Sequence, residues 1–254
     1  MRLVIVGAGF SGAVTAIEYL KRANAYDELI INKTGKMAKG LAYGTNSPHH
    51  HLNVPAGNMS ALVDFPDSFV GYCKLQQHDI DGKAFVARKI YGEYLETLLT
   101  TAEQEGETKT TRLVAEVVRL EYRHSKAILT LDNGQLLIAD HVVLSFGNFP
   151  PMVPKPLFEF RDSEIFLNDP WASIGHRCVA RAPRVLIIGN GLTAVDATLN
   201  IKTHFPEASF TLLSRRGLTP QAHQERLPTT PYTGTIGSQL LASEPTIKEY
   251  IKLL

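Results

Sequence analysis

One pattern occurs twice in this 254-residue chain, and it limits the folds open to the sequence. Each time, a short apolar strand runs into a glycine-rich turn and then a helix, as G-x-G-x-x-G at residues 7–12 and G-x-G-x-x-A at residues 189–194. The first glycine allows a tight turn, the second lets a ligand approach the backbone, and the third small residue lets helix and strand pack closely. The helix N-terminus then offers free N–H groups to an anion. The sequence therefore predicts an α/β protein with two Rossmann-like dinucleotide-binding units.

Hydrophobic periodicity predicts the elements around both turns. Asp132-Asn133-Gly134 separates two apolar runs, as in a β-hairpin. The tail at 217–254 is polar and irregular until a short helix at its end. The predicted elements are strand 2–6, helix 10–23, strand 28–32, helix 88–105, short strands within 111–145, strand 184–188, helix 191–203 and strand 208–213.

Three segments follow from this order of elements. Residues 1–150 are predicted to form the first dinucleotide-binding domain. Within it, residues 35–65 form an irregular loop rich in Gly, Pro, Asn and His, and loops of this length are usually functional. Proline-rich residues 151–183 connect the domains, and residues 184–254 form the partial second domain.

The ribose contact of the first unit is expected about 20 residues after its last glycine. That position holds Asn32, whose amide can hydrogen-bond a ribose hydroxyl but binds it less strongly than the usual carboxylate. Lys33 is predicted to lie near the pyrophosphate or the adenine edge. The predicted ligand-binding residues of this unit's fingerprint are Gly7, Gly9, Phe10, Ser11 and Gly12.

The corresponding position of the second unit is Ser214-Arg215-Arg216. Guanidinium groups pair with phosphate through two bonds, so this segment predicts a 2′-phosphate and hence NADPH; the alternative is a solvated arginine pair after a strand. Two fingerprints in this order suggest FAD first and NADPH second, with hydride passing from nicotinamide to flavin. The predicted NADPH-binding residues are Gly189, Asn190, Gly191, Leu192, Thr193, Ser214, Arg215 and Arg216.

Composition and other motifs exclude several classes of protein. The formal net charge of +1 offers no basic excess for nucleic acid or a membrane surface. The apolar run at the N-terminus, Leu3 to Val6, is too short for a signal peptide or a membrane span. Two distant cysteines, Cys73 and Cys178, favour a reducing, cytoplasmic location. Residues 35–60 lack the CxxxxC pair of flavin disulfide reductases, and no G-x-S-x-G hydrolase elbow occurs.

The run His49-His50-His51 invites a metal-binding interpretation. Adjacent histidines point in different directions in most backbones, and no paired carboxylate or cysteine is close in sequence. We therefore predict no metal site and a role for these residues in the loop or near the flavin.

Several further motifs resemble those of a family of FAD/NAD(P)-binding proteins related to class B flavin monooxygenases and amino-acid N-hydroxylases. The resemblance covers essentially the whole chain. The motifs that carry it are Gly40–Thr45 (GLAYGT), Leu52–Ala56 (LNVPA), Met59-Ser60, Arg88–Leu95 (RKIYGEYL), Asp169-Pro170-Trp171, Gly191–Asp196 (GLTAVD) and Ser214–Gly217 (SRRG).

The resemblance implies further flavin contacts. Leu41, Ala42 and Tyr43, together with Asn53-Val54, would lie against the flavin. Ser145-Phe146-Gly147 corresponds to the family's Ala-Thr-Gly turn, from which it differs at two of three residues, and Val117 would contact the adenine through backbone groups. Asn53 is the candidate for a hydrogen bond near the reactive flavin edge; the alternative is an asparagine that supports a loop turn.

The resemblance implies a flavin-dependent monooxygenase or a related oxidoreductase with FAD and NADPH as cofactors and a small-molecule substrate. Family members continue beyond the point where this sequence stops, so the chain resembles a truncated member whose second nucleotide-binding unit is incomplete. Two alternatives stay open: an NADPH:flavin reductase that inserts no oxygen, and a non-catalytic nucleotide-binding protein or a subunit whose partner chain supplies the missing segment.

Overall fold

The computed structural model describes residues 2–22, 27–78, 80–170 and 184–221. Met1–Leu218 forms one compact unit and Thr219–Leu254 a second, of which only the first three residues are described. The strands are β1 (Arg2–Val6), β2 (Asp27–Ile31), β3 (Thr110–Leu113), β4 (Val117–Arg123), β5 (Lys126–Leu131), β6 (Leu136–Ala139), β7 (His141–Leu144), β8 (Arg184–Ile188) and β9 (Ser209–Leu213). The α-helices are α1 (Phe10–Leu20), α2 (Gly40–Tyr43), α3 (Ser68–Leu75), α4 (Arg88–Glu105) and α5 (Leu192–His204).

A four-stranded parallel sheet in the order β3-β2-β1-β7 forms the centre of the first domain. Its strands are short and rich in β-branched residues, as expected where both faces are buried. Leu3 and Ile5 of β1 point into a core with α1 and α4, while Val4 and Val6 point toward the antiparallel sheet β4-β5-β6. The central sheet is therefore enclosed between helices on one face and a β-meander on the other.

The second nucleotide unit is smaller. Strands β8 and β9 pair in parallel, and α5 connects them. Ile201 and Ala208 form its small core, with Val185, Phe205 and Phe210 packed against them. This core shares no residue with the two cores of the first domain.

The predicted fold class, α/β with Rossmann-like units, is confirmed. The hairpin at residues 132–134 joins β5 and β6, and α4 has the predicted bounds. The predicted helix 10–23 ends earlier, at Leu20, and the loop 35–65 contains α2 and a 3-10 helix, Ala56–Asn58.

Helix α3 was not predicted, although it buries Phe69, Val70 and Cys73. The domain boundaries stay predictions. Trp171 and the rest of the connection to residue 183, as well as the tail from residue 222, lie outside the described residues. No helix among the described residues is long and apolar enough to cross a membrane.

Candidate functional site

The first fingerprint turn lies at the carboxyl edge of the parallel sheet, where α/β proteins bind their ligands. Gly7 follows β1 with a φ of +95°, and its N–H donates to the Ile31 carbonyl oxygen at 2.8 Å. A Cβ atom on Gly7 would lie 2.2 Å from the backbone oxygen of Ser145. The turn is therefore enclosed by the ends of β2 and β7, and it admits only glycine.

Helix α1 begins immediately after this turn. Gly9 is its N-cap, so no side chain occupies the first N–H groups of the helix. A Cβ atom on Gly12 would lie 1.9 Å from the Gly7 carbonyl oxygen, so glycine is required for the helix to begin this close to the strand. Phe10 and Ser11 of the first turn are both exposed. The N–H groups and the helix dipole together form an anion site suited to a pyrophosphate.

The predicted flavin-contact segment of α2 lies beside the turn. A Cβ atom on Gly40 would lie 3.0 Å from the Gly9 Cα atom, so the two backbones approach closely here. Tyr43 packs edge-on against Tyr91 of α4, with ring centroids 4.6 Å apart. Leu41 is 58% exposed and Ala42 is also exposed. The segment therefore presents apolar surface next to the anion site.

Asn32 and Lys33 follow β2 at the same edge of the sheet. The Asn32 side-chain nitrogen donates to Thr34 Oγ1 at 3.1 Å and to the Lys36 carbonyl oxygen at 3.0 Å. These bonds leave its Oδ1 as the atom able to accept from a ribose hydroxyl. Lys33 Nζ lies 3.3 Å from Glu116 Oε1, and both side chains are largely exposed. The Lys33 ammonium group is thus paired with a carboxylate.

A second edge of the site is formed by residues 51–57, which run beside residues 82–87. Leu52 N–H donates to the Val86 carbonyl oxygen at 2.8 Å, and Ala56 N–H donates to that of Ala84 at 2.9 Å. These bonds hold the backbone around Asn53, which is exposed, and Val54, which is half-buried.

The remaining predicted FAD residues follow other strands of the first domain. Ser145 follows β7, and its N–H donates to the Val6 carbonyl oxygen at 2.7 Å. Gly147 adopts a φ of +72° in the turn that follows. Val117 begins β4 and is half-buried against the core between the sheets.

The second fingerprint repeats the geometry of the first. Gly189 follows β8 with a φ of +117°, and its N–H donates to the Leu213 carbonyl oxygen at 2.8 Å. Gly191 is the N-cap of α5, followed by exposed Leu192 and Thr193. In contrast to the first turn, a Cβ atom on either glycine would meet no atom of the residues that the structure describes within 4 Å.

The predicted 2′-phosphate segment follows β9. The Ser214 hydroxyl oxygen accepts from the Gly217 N–H at 3.0 Å, which closes a turn around the two arginines. Arg215 and Arg216 are exposed, and neither forms an ion pair with another described residue. Asn190 Nδ2 donates to the Leu218 carbonyl oxygen at 2.8 Å, so the turn at 214–217 is connected to the fingerprint turn.

The structure also brings together charged residues that no sequence pattern associates. His50 is buried and forms a 2.7 Å hydrogen bond with Thr45 through Nδ1. Arg88 Nη2 of α4 lies 3.1 Å from Asp196 Oδ2 of α5. Burial lowers the pKa of His50, although the Asp196 carboxylate opposes this effect. Within the described ranges, no three His, Cys, Asp or Glu side chains group closely enough to hold a metal ion.

Comparisons with known proteins find the same fold in several solved structures. Among solved structures, the chain is similar to ornithine hydroxylase from Pseudomonas aeruginosa (TM-score 0.63, 18% identity, 100% of this chain and 65% of that one). It is also similar to bacillithiol disulfide reductase from Staphylococcus aureus (TM-score 0.59, 17% identity, 95% and 64%). A third similar structure is cyclohexanone monooxygenase from Rhodococcus sp. Phi1 bound to NADP+ (TM-score 0.55, 19% identity, 84% and 38%).

At these identities the structural similarity concerns the fold, and the chain spans less than two thirds of the length of each of these proteins. A comparison with curated protein sequences finds no match. The model of a family described as FAD-NAD(P)-binding matches residues 4–149, more than half of the chain. The chain therefore belongs to the FAD-NAD(P)-binding family.

Proposed function

We propose that this chain is an FAD-dependent, NADPH-using oxidoreductase of the flavin-monooxygenase type, acting on a small molecule. The observation that carries the proposal is the repeated geometry of the two fingerprints. In each, a glycine N–H donates to the end of the neighbouring parallel strand at 2.8 Å, and the following helix begins without a side-chain cap. The monooxygenase type is supported by the fold shared with ornithine hydroxylase and cyclohexanone monooxygenase.

The first site fits FAD. The uncapped amides of α1 would hold the pyrophosphate, and Asn32 Oδ1 would accept a hydrogen bond from a ribose hydroxyl. The flavin ring would lie between the exposed apolar surface at Leu41 and the backbone that is held around Asn53. When bound, FAD supplies the acceptor for a hydride.

The second site fits NADPH. The amides that begin α5 would hold its pyrophosphate, and the exposed guanidinium groups of Arg215 and Arg216 would pair with the 2′-phosphate. NADH lacks this phosphate, so the pairing predicts a preference for NADPH. Because the turn carrying both arginines is bonded to Asn190, the phosphate contact is positioned relative to the fingerprint.

Disulfide reduction is disfavoured, although one similar structure is a disulfide reductase. Cys73 is completely buried in α3, and burial raises the pKa of its thiol to about 11. A buried thiol that stays protonated at neutral pH is a poor nucleophile for thiol–disulfide exchange.

The decisive experiment follows the flavin spectrum of the purified chain. With FAD bound, anaerobic NADPH should bleach the flavin absorbance, and NADH should do so at least ten times less efficiently. The proposal would be overturned if the chain never binds FAD, or if its bound flavin stays oxidised after NADPH is added. If the chain releases peroxide in air, and no added substrate lowers the amount released, an NADPH:flavin reductase would be favoured instead.

Replacing Arg215 by Ala should remove most of the preference for NADPH while leaving the rate with NADH unchanged. The matched control is Arg161→Ala, an exposed arginine far along the chain from the second fingerprint and paired only with its neighbour Asp162 among the described residues. Equal loss with NADPH and NADH in Arg215→Ala would contradict the assigned phosphate contact.

A second candidate, a subunit that requires further polypeptide, is favoured by exposed apolar side chains in β8 and β9. Leu186 and Ile188 of β8 are 58% and 53% exposed, and Leu213 of β9 is 56% exposed. Parallel sheets are normally buried on both faces, so this surface is suited to being covered by another segment or a partner chain.

The flavin spectrum separates the two candidates. An independent enzyme is reduced by NADPH as the purified chain alone. A dependent subunit binds FAD but is reduced only after the covering polypeptide is added. Reduction of the chain alone would therefore exclude the second candidate.

A further inference from the structure

An ion pair is buried between α4 of the first domain and α5 of the second fingerprint. Arg88 Nη2 and Asp196 Oδ2 lie 3.1 Å apart, and their side chains are 15% and 12% exposed. Arg88 is the first residue of α4, and Asp196 lies about one turn inside α5. Where both partners are described, no other ion pair joins residues 184–221 to the first domain.

The first domain fixes the direction of the guanidinium group. Arg88 Nε donates to the His51 carbonyl oxygen at 2.9 Å, and the Arg88 backbone N–H donates to the His50 carbonyl oxygen at 2.8 Å. His51 also pairs with Ala87 in an isolated β-bridge. The same loop continues into Asn53, at the edge of the proposed flavin site. The arginine is therefore anchored to the flavin side of the molecule.

Asp196 is a charged residue in a place where an unpaired charge would be unfavourable. It is 8% exposed, and only Ala194 and Ile201 are buried beside it in α5. A carboxylate removed from water is tolerated when an opposite charge compensates it, and Arg88 supplies that charge. If α5 turned or slid away from α4, the Asp196 carboxylate would lose the opposite charge that compensates it.

Among the described residues, no apolar core joins α5 to the first domain. The core of the second unit consists of its own residues, including Ile201 and Ala208, and it does not merge with the cores of the first domain. A shared apolar core is non-directional, whereas the Arg88 guanidinium group is held in one direction by its bond to the His51 carbonyl oxygen, so its pairing with Asp196 favours one place for α5. A buried ion pair is therefore better suited to setting the relative position of two elements than to adding stability.

We propose that Arg88 and Asp196 are positioning residues that set the place of the second nucleotide-binding helix relative to the flavin domain, and hence the distance over which hydride is transferred. This inference rests on the proposed function. In that transfer a hydride leaves NADPH, giving NADP+, and FAD takes up the hydride and one solvent proton, giving FADH2. Neither residue is among the predicted cofactor-binding residues; both would act through α5, whose first turn would hold the NADPH pyrophosphate. Rates depend steeply on such placement.

The test combines flavin reduction kinetics with cofactor binding. In Asp196→Asn, which preserves shape and removes the charge, the limiting rate constant for anaerobic reduction by NADPH should fall at least ten-fold. The Kd values for FAD and NADPH should change less than two-fold. The single variant Arg88→Met and the double variant Asp196→Asn/Arg88→Met complete the comparison. The rate constant of the double variant should be no lower than that of the slower of the two single variants, because all three remove the same interaction.

The control is Glu93→Gln on α4. Glu93 is paired with Lys89 at 3.9 Å, and both side chains are about half exposed, so its replacement should leave the rate constant unchanged. An unchanged rate constant in Asp196→Asn would overturn the inference. So would a fall matched by an equal loss of FAD binding, since that would indicate general damage to the fold.

Hydrogen exchange supplies a readout that does not depend on turnover. Asp196→Asn should increase amide exchange at residues 88–92 and 192–200 together, and Glu93→Gln should not. If the wild-type flavin is not reduced by NADPH, the proposed function fails and exchange alone decides whether the pair positions α5. Unchanged exchange in both segments would overturn the positioning role in every case.

Discussion

Glu28 makes the stability of the first domain depend on pH in a defined direction. Its side chain is 1% exposed in β2, and among the described residues Oε1 has no hydrogen-bond partner. Oε2 accepts from the Thr110 hydroxyl at 3.1 Å across the strand pair. Burial raises the pKa of Glu28 from 4.5 to about 7, an effect that the Thr110 bond opposes and that nearby Glu103 increases.

The direction in which stability changes with pH follows from how tightly each state binds the proton. The folded state binds the Glu28 proton more tightly than the unfolded state, so stability is complete below about pH 4.5 and decreases as the pH rises to about 7. The pKa shift corresponds to about 3 kcal/mol in total, of which about 2.5 kcal/mol separates pH 5 from pH 8. Glu28→Gln cannot ionise, and its amide oxygen can still accept from Thr110. The free energy of unfolding of the variant should exceed that of the wild type by about 2.5 kcal/mol more at pH 8 than at pH 5.

Urea unfolding followed by far-UV circular dichroism at pH 5, 6, 7 and 8 measures this difference. Groups that titrate equally in both proteins cancel when the variant is compared with the wild type. The exposed carboxylate control, Glu105→Gln at the end of α4, should show the same offset at every pH. A difference between Glu28→Gln and the wild type that stays constant from pH 5 to pH 8 would refute the reasoning.

Two further predictions concern packing and thiol reactivity. A Cβ atom on Gly92 of α4 would lie 2.4 Å from the Tyr43 carbonyl oxygen, so Gly92→Ala should destabilise the fold by about 1–3 kcal/mol and weaken FAD binding. The helical control Gly71→Ala, where a Cβ atom meets nothing within 4 Å, should stabilise it by about 0.5–1 kcal/mol; equal effects in urea unfolding would contradict this. In a Cys178→Ser background, Cys73 should react with a thiol reagent only in urea concentrations that unfold the protein, and rapid labelling of the native state would be contrary to its burial.

The sequence was sufficient to predict features that local geometry determines. A strand that ends in Gly7 and a helix that contains Gly12 can form only if no Cβ atom is present at either position, so the motif implies the turn. Helix α3 is a different case. Its buried residues Phe69, Val70 and Cys73 have helical spacing, so a periodicity search would have found it, but the surrounding Gly- and Pro-rich loop obscured the pattern.

The Arg88–Asp196 pair shows what the sequence could not provide. Each residue lies within a motif that supported the family resemblance, yet taken separately each has the composition of a solvated helix surface. Their contact depends on how two βαβ units pack, and no local pattern encodes that arrangement. The neighbourhood of His50 could not be predicted from the sequence either. The Asp196 carboxylate that acts on it is distant in sequence, so no local pattern relates it to the histidine run.

The two fingerprints share one local geometry but differ in their surroundings. Gly7 is enclosed by the backbone of β7, and the helix side and the meander side of its sheet are both buried. Gly189 follows β8, which pairs with β9 in the part of the chain that the structure describes, and a Cβ atom there would meet no described atom within 4 Å. The first turn is thus packed against backbone on more than one side, whereas no described backbone packs against the second. The Arg88–Asp196 pair joins the described residues of the two units, so under the proposed function it would help to place the second turn, and the NADPH held there, relative to FAD.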